Sequence, residues 1–187
     1  FILMEEKVTS DLVGQRDLRI QKLQQLVKLG INPYPSKSFR KDSIGDILED
    51  FEKFDGDETV LAGRLIAWRE HGKLIFANIL EQTGSIQLMI RKDDLVKDLK
   101  KGYLGWDNLQ LLDIGDFVEA YGVVGKTKTG QVSLMVKNVR LLTKAIRPIP
   151  RELENKEQRY RRRYLDLVIH PESVKMFERK SKFWQVQ

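Results

Sequence analysis

The stretch Gly72–Arg91, GKLIFANILEQTGSIQLMIR, holds two apolar runs around Gln82-Thr83-Gly84. Runs of this length parted by a glycine-bearing turn read as a β-hairpin. On the second run, period-two alternation puts Ile86, Leu88 and Ile90 on one face, and Ser85, Gln87, Met89 and Arg91 on the other. On the first run Ile75, Ala77 and Ile79 share the buried face, which turns Phe76 and Asn78 towards Gln87 and Arg91. A solvated phenyl ring among amide and guanidinium groups suits stacking on an unpaired base, with polar neighbours to read its edge. On the hairpin alone a second reading is equally open: a sheet whose other face is covered by a helix.

The flanking sequence favours the first. A strand is expected over Thr59–Arg69, with Gly63 as a bulge or bend site. After the hairpin, Asp93–Leu112 has helical spacing at Leu95, Leu99 and Leu104, broken at Gly102 and Gly105. A fourth strand, Asp116–Gly125, meets a fifth, Gln131–Thr143, through the loop Lys126-Thr127-Lys128-Thr129-Gly130. The order βββ-α-ββ with a bent first strand is that of an OB-fold, whose strands two and three form an oligonucleotide-binding face. An SH3-like barrel is the alternative, but it usually lacks a helix between strands three and four. The expected fold class is therefore mainly β with flanking helices. A five-stranded OB-fold barrel is preceded by N-terminal helices and followed by a helical linker.

Before the barrel, Ser10–Gly30 reads as a helix with an incomplete stripe of Leu12, Arg16, Leu18, Leu23, Leu26 and Val27. Asn32-Pro33-Tyr34-Pro35 cannot continue it. A short second helix begins at Ser43 as N-cap, with Ile47, Leu48, Phe51 and Phe54 on one face. After the barrel, Arg147-Pro148-Ile149-Pro150 is a stiff linker, Leu153–Leu167 is helical and charge-rich, and Pro171 opens a last helix running to Gln187. The expected division is residues 1–58 as a helical extension, 59–145 as the barrel, and 146–187 as a linker and the start of a further domain. Phe177, Phe183 and Trp184 leave an apolar stripe with nothing to pack against, so a cut from a longer protein is expected; Met4 resembles an initiator.

Composition narrows the function classes. With 187 residues, 41% of them hydrophobic, the chain can bury a sizeable core. There are no cysteines and only two histidines, which excludes disulfides and thiolate metal sites and leaves little for zinc. No run of eighteen apolar residues exists and the N-terminus has no apolar signal core, so a cytoplasmic protein is expected. Residues 1–143 carry 21 Lys and Arg against 21 Asp and Glu, whereas residues 144–187 carry 12 against 6. The whole net charge of +6 thus sits in the tail. A neutral barrel cannot hold nucleic acid by bulk charge and needs a local basic patch with base contacts.

No catalytic constellation emerges. His71 and His170 are isolated, no GxxxxGK[ST] phosphate cradle exists, and the carboxylates are spread over helices. The binding constellation is stronger: Arg69, Phe76, Asn78, Gln87 and Arg91 share one expected face. Arg69 can donate to a pyrimidine O2 or O4. Gln87 can donate and accept at once, which suits uracil's alternating edge. Lys126 and Lys128 are expected to contact phosphate.

Taken together, several segments resemble class II lysyl-tRNA synthetase. They are Asn32-Pro33-Tyr34-Pro35, Ala62-Gly63-Arg64, Gly72-Lys73 before Phe76, Ile86-Gln87-Leu88, Lys126–Gly130, Leu141–Ala145 and Arg159–Leu167 (RYRRRYLDL). The resemblance covers about residues 10–187. The KTKTG loop and the RYRxRYLDL segment separate it from the aspartyl and asparaginyl relatives, which share the barrel and its Arg–Phe–Gln set. It implies that the barrel binds the anticodon of tRNA(Lys), with the central uridine stacked on Phe76 and contacted by Arg69 and Gln87. Where the family commonly carries Glu, implicated in reading a flanking base, this chain has Gln131. Gln keeps an acceptor oxygen, adds donors and loses the charge. The resemblance also implies that lysine, ATP and Mg2+ are handled by the full-length, dimeric ligase, in motifs beyond this chain. No cofactor and no catalytic residue is therefore expected here, and the fragment alone should be inactive. The alternative is a free-standing OB module that binds single strands without sequence preference.

Overall fold

A computed structural model describes residues 2–150, 152, 153 and 155–185; the side chains of residues 2–13 and of Pro171 are not described. The elements in order begin with helices α1 (Ile2–Lys28), α2 (Ile44–Glu49) and α3 (Phe51–Phe54). Strands β1 (Glu58–His71), β2 (Leu74–Glu81) and β3 (Gly84–Arg91) follow, then β4 (Phe117–Lys126) and β5 (Val132–Thr143). Helices α4 (Lys156–Arg161), α5 (Arg163–Ile169) and α6 (Pro171–Gln185) end the described chain. The chain divides into two compact units between Pro148 and Ile149.

In the first unit the strands close into a barrel in the order β1-β2-β3-β5-β4. All neighbours are antiparallel except β3 and β5. This is the expected OB-fold. The apolar half of the hairpin alternation holds at every position: Ile75, Ala77, Ile79, Ile86, Leu88 and Ile90 are all buried in the core. Leu61, Leu65, Val118, Ala120, Val124, Leu134 and Leu141 join them from the other strands. Period-two strands place such residues on one side of the sheet, and barrel closure leaves no free strand edge between β1 and β4.

Two expectations about the barrel need correction. The bulge in β1 lies between Leu65 and Ala67, not at Gly63. Gly63 serves a close approach instead, since a Cβ there would stand 2.9 Å from Leu80 O. The segment between β3 and β4 forms no α-helix but two 3₁₀ turns, Leu99–Lys101 and Trp106–Leu111. The first ends at Gly102, whose φ of 80° is a left-handed stop that a helix cannot pass. Leu104 and Leu109 still bury fully against the barrel, so the apolar spacing reports burial rather than helix.

The helical stripe in α1 is narrower than expected. Leu26 is fully buried, but Leu18 and Val27 are exposed. The Leu12 side chain lies outside the described residues, as does the expected helix end at Gln187. Ser43 caps α2 by accepting from Asp46 N–H at 3.2 Å. Ile44 and Ile47 are buried while Leu48 is exposed. A break at Asp50 separates α2 from α3, so the single short helix is two turns.

The second unit is organised by Asp166. Its buried carboxylate accepts from Arg159 Nε and Arg163 Nη1, both at 2.6 Å, and lies 2.9 Å from His170 Nδ1. Burial raises its pKa, but the two guanidinium groups outweigh this and hold it at about 2, below the ordinary 3.8. A carboxyl depressed in the folded state stabilises fully above its unfolded pKa and loses that contribution as pH falls towards the folded value. Hydrogen-exchange protection across α5, corrected for intrinsic rate, is therefore expected to fall from about pH 4 to about pH 2. Asp166→Asn should abolish that dependence; a pH profile unchanged by the substitution would contradict this origin.

Candidate nucleic-acid interface

Barrel registry brings the expected residues into rows. Arg69 pairs with Phe76, Phe76 with Met89, and Met89 with Met135, so one row runs across four strands. A second row runs Ala67, Asn78, Gln87, Ser133 and Gly125. Directly paired residues point to the same face of a sheet, so Phe76 stands with Arg69 on one side and Met89 on the other. Phe76 is half-buried, and Arg69 and Arg91 are exposed.

The first row, with Gln87 from the second, forms the floor of a groove of about 810 Å³. Arg69, Phe76, Gln87, Arg91, Lys126, Lys128 and Gln131 all line it. Asn78 does not; it is half-buried, and its Oδ1 is buried without a hydrogen-bond partner. The groove also takes in His71, Leu74, Met89, Asp94, Thr127, Thr129 and Met135, none of which the sequence assigned to the site. His71 stands edge-on to Phe76, with ring centroids 6.4 Å apart and planes at 63°. Since β1 runs on to His71 rather than stopping at Arg69, its last turn forms one wall.

The far wall is the β4–β5 loop. Thr127 N donates to Gln131 O at 2.9 Å and Gly130 N to Thr127 O at 2.8 Å, with Gly130 at φ 83°. Only a residue without a Cβ adopts that left-handed turn at little cost. The turn fixes Lys128 and Gln131, both exposed, at the rim. Lys126 is more restrained than expected, because its Nζ lies 4.2 Å from the centre of the Phe51 ring. That contact anchors its charge beside the groove.

Gln87 departs furthest from the sequence reading, which places it on an open face. It is only 5% exposed and accepts a hydrogen bond from Ser133 Oγ at 2.9 Å. Around it Arg69, Arg91, Lys126 and Lys128 face a single lining carboxylate, Asp94. A neutral barrel thus concentrates positive charge at one recess, as a backbone-contacting groove requires. Among the described residues no group of three or more His, Asp or Glu is placed to hold a metal ion. No helix among them is long and apolar enough to cross a membrane.

Residues 59–142 match the tRNA anti-codon family, an OB-fold nucleic acid binding domain. A lysine–tRNA ligase of Moorella thermoacetica is 38% identical over 177 residues, covering 93% of this chain. One of Staphylococcus aureus is 37% identical over 190 residues, covering 95%. The chain is homologous to the lysine–tRNA ligases. It spans about a third of their length, 34% of the first and 37% of the second. The homology extends beyond the barrel on both sides, so it takes in the N-terminal helices and the second unit of this lysine–tRNA ligase homologue as well.

Proposed function

We propose that this chain is the tRNA anticodon-binding part of a lysine–tRNA ligase and that its groove receives the anticodon loop of tRNA(Lys). The supporting observation is the single recess that gathers Arg69, Phe76 and Gln87 with Lys126 and Lys128 in a homologue of these ligases. The central uridine stacks on Phe76, Arg69 and Gln87 contact its edge, and Gln131 and Arg91 meet the flanking nucleotides. Asn78 lies outside the groove lining and takes no base contact in this reading. In this reading ligation by a class II enzyme, with ATP, Mg2+ and lysine, belongs to the part of the relatives' length that this chain does not span. The fragment alone does not activate lysine. The full-length ligase works as a cytoplasmic homodimer.

The test separates base reading from phosphate contact. Gln87→Ala should weaken a uridine-centred stem-loop more than a cytidine-centred one, because it removes a base contact inside a desolvated recess. Lys128→Ala should weaken both about equally and flatten the salt dependence by about 0.7 in log–log slope per lost phosphate contact. Titrating both stem-loops across a salt series measures both effects. Equal losses on the two loops for Gln87→Ala would favour the free-standing, sequence-tolerant module instead.

A further inference from the structure

Gln87 and Ser133 are direct partners across the parallel β3–β5 pairing. Ser133 is fully buried and Gln87 nearly so. The Ser133 hydroxyl donates to Gln87 Oε1 at 2.9 Å, and its other acceptor, Gln131 O, is farther at 3.2 Å. A hydroxyl has one hydrogen to give, so the shorter contact takes it. With its carbonyl held against β5, the Gln87 amide is left with only its NH2 end to face the groove. Reversing the amide would turn the hydroxyl's one hydrogen to the longer Gln131 contact and leave Oγ only to accept from the Gln87 NH2.

We propose that Ser133 is a specificity-determining positioning residue, which ties down the Gln87 carbonyl so that only the amide NH2 reads the base. A side chain that presents donors alone selects an edge carrying a carbonyl oxygen over one carrying an amino group. It therefore accepts uracil at O4 and rejects cytosine, whose amino group sits at that position. An unrestrained glutamine rotates about a broad, two-fold terminal torsion and offers either end. The discrimination thus resides in the Ser133–Gln87 pair rather than in Gln87 alone. This rests on the anticodon-binding reading and narrows it to the chemistry of one edge.

The test compares uridine- and cytidine-centred stem-loops on the 187-residue chain and its variants. Ser133→Ala should reduce the uridine preference by about tenfold, the worth of one well-placed hydrogen bond, partly by strengthening cytidine binding. Ser133→Thr should keep the preference, since threonine retains the hydroxyl that holds the Gln87 carbonyl. In a Gln87→Ala background, Ser133→Ala should change the ratio no further. A purely structural role would lower both affinities together and leave the ratio intact, and that result overturns the inference alone. A parent chain that binds both loops equally would overturn the anticodon-binding reading and this inference with it.

Discussion

Replacing Lys144 by methionine is expected to remove about 3–5 kcal/mol of folding stability, the range for breaking a buried ion pair on one side. Lys144 is 2% exposed, and its ammonium lies 2.7 Å from Asp116 Oδ2 and 2.5 Å from Asp113 Oδ2, with Leu111 O at 2.8 Å. Asp116 is fully buried, so removing the cation leaves a carboxylate whose remaining donors are two backbone amides, Ala145 N and Asp113 N. The cluster also ties the N-terminal segment to the barrel. Lys22 on α1 reaches Asp113 at 2.7 Å, Arg19 donates to Ala145 O and Ile114 O, and Tyr34 donates its hydroxyl to Lys144 O. Lys22→Ala provides the contrast: its pair is partly solvated and should cost about 1 kcal/mol or less. Chemical denaturation of both variants measures the difference. Similar losses would show that burial of the Lys144 charge is not what makes it structural.

Asp113 adds a pH signature to the same cluster. Burial raises its carboxyl pKa, but Lys144 and Lys22 together bring it below the ordinary 3.8. Its contribution is thus complete above its unfolded pKa and declines as acid approaches the folded one.

The hairpin was legible because a two-residue period needs only local sequence. Ile75, Ala77, Ile79, Ile86, Leu88 and Ile90 all lie where alternation puts them, and Phe76 follows on the opposite side. Closure was not legible in the same way. The β3–β5 contact pairs Gln87 with Ser133 across 46 positions, and no local pattern announces that neighbour. Nothing about Gln87 itself shows which end of its amide is occupied. The sequence around Lys144 carries no sign of its burial, because a lysine in a polar stretch normally stays solvated. Its burial depends on two aspartates about thirty residues upstream. Between β3 and β4 the leucine spacing was real, but left-handed Gly102 and extended Gly105 split the segment into 3₁₀ pieces. Periodicity there recorded which side chains reach the core and not the backbone that carries them.

Phe76→Ala is expected to weaken binding of a uridine-centred stem-loop by about 1–3 kcal/mol, the range for losing one base-stacking platform. Phe76 lies half-buried on the groove floor between Arg69 and Met89, so its removal should cost less stability than deletion of a core side chain. Ile79, three residues along β2 and fully buried on the other face, supplies the comparison. Ile79→Ala should lose about 2–5 kcal/mol of stability through the cavity it leaves, while sparing the groove surface. Phe76→Leu then separates stacking from packing: it keeps most of the apolar volume but has no π-face for a base. Binding by Phe76→Leu should stay close to that of Phe76→Ala, with stability close to the parent chain. Parent-like binding by the leucine variant would mean that Phe76 only fills space. If Phe76→Ala instead unfolds as readily as Ile79→Ala, the ring belongs to the core and another surface must carry the base.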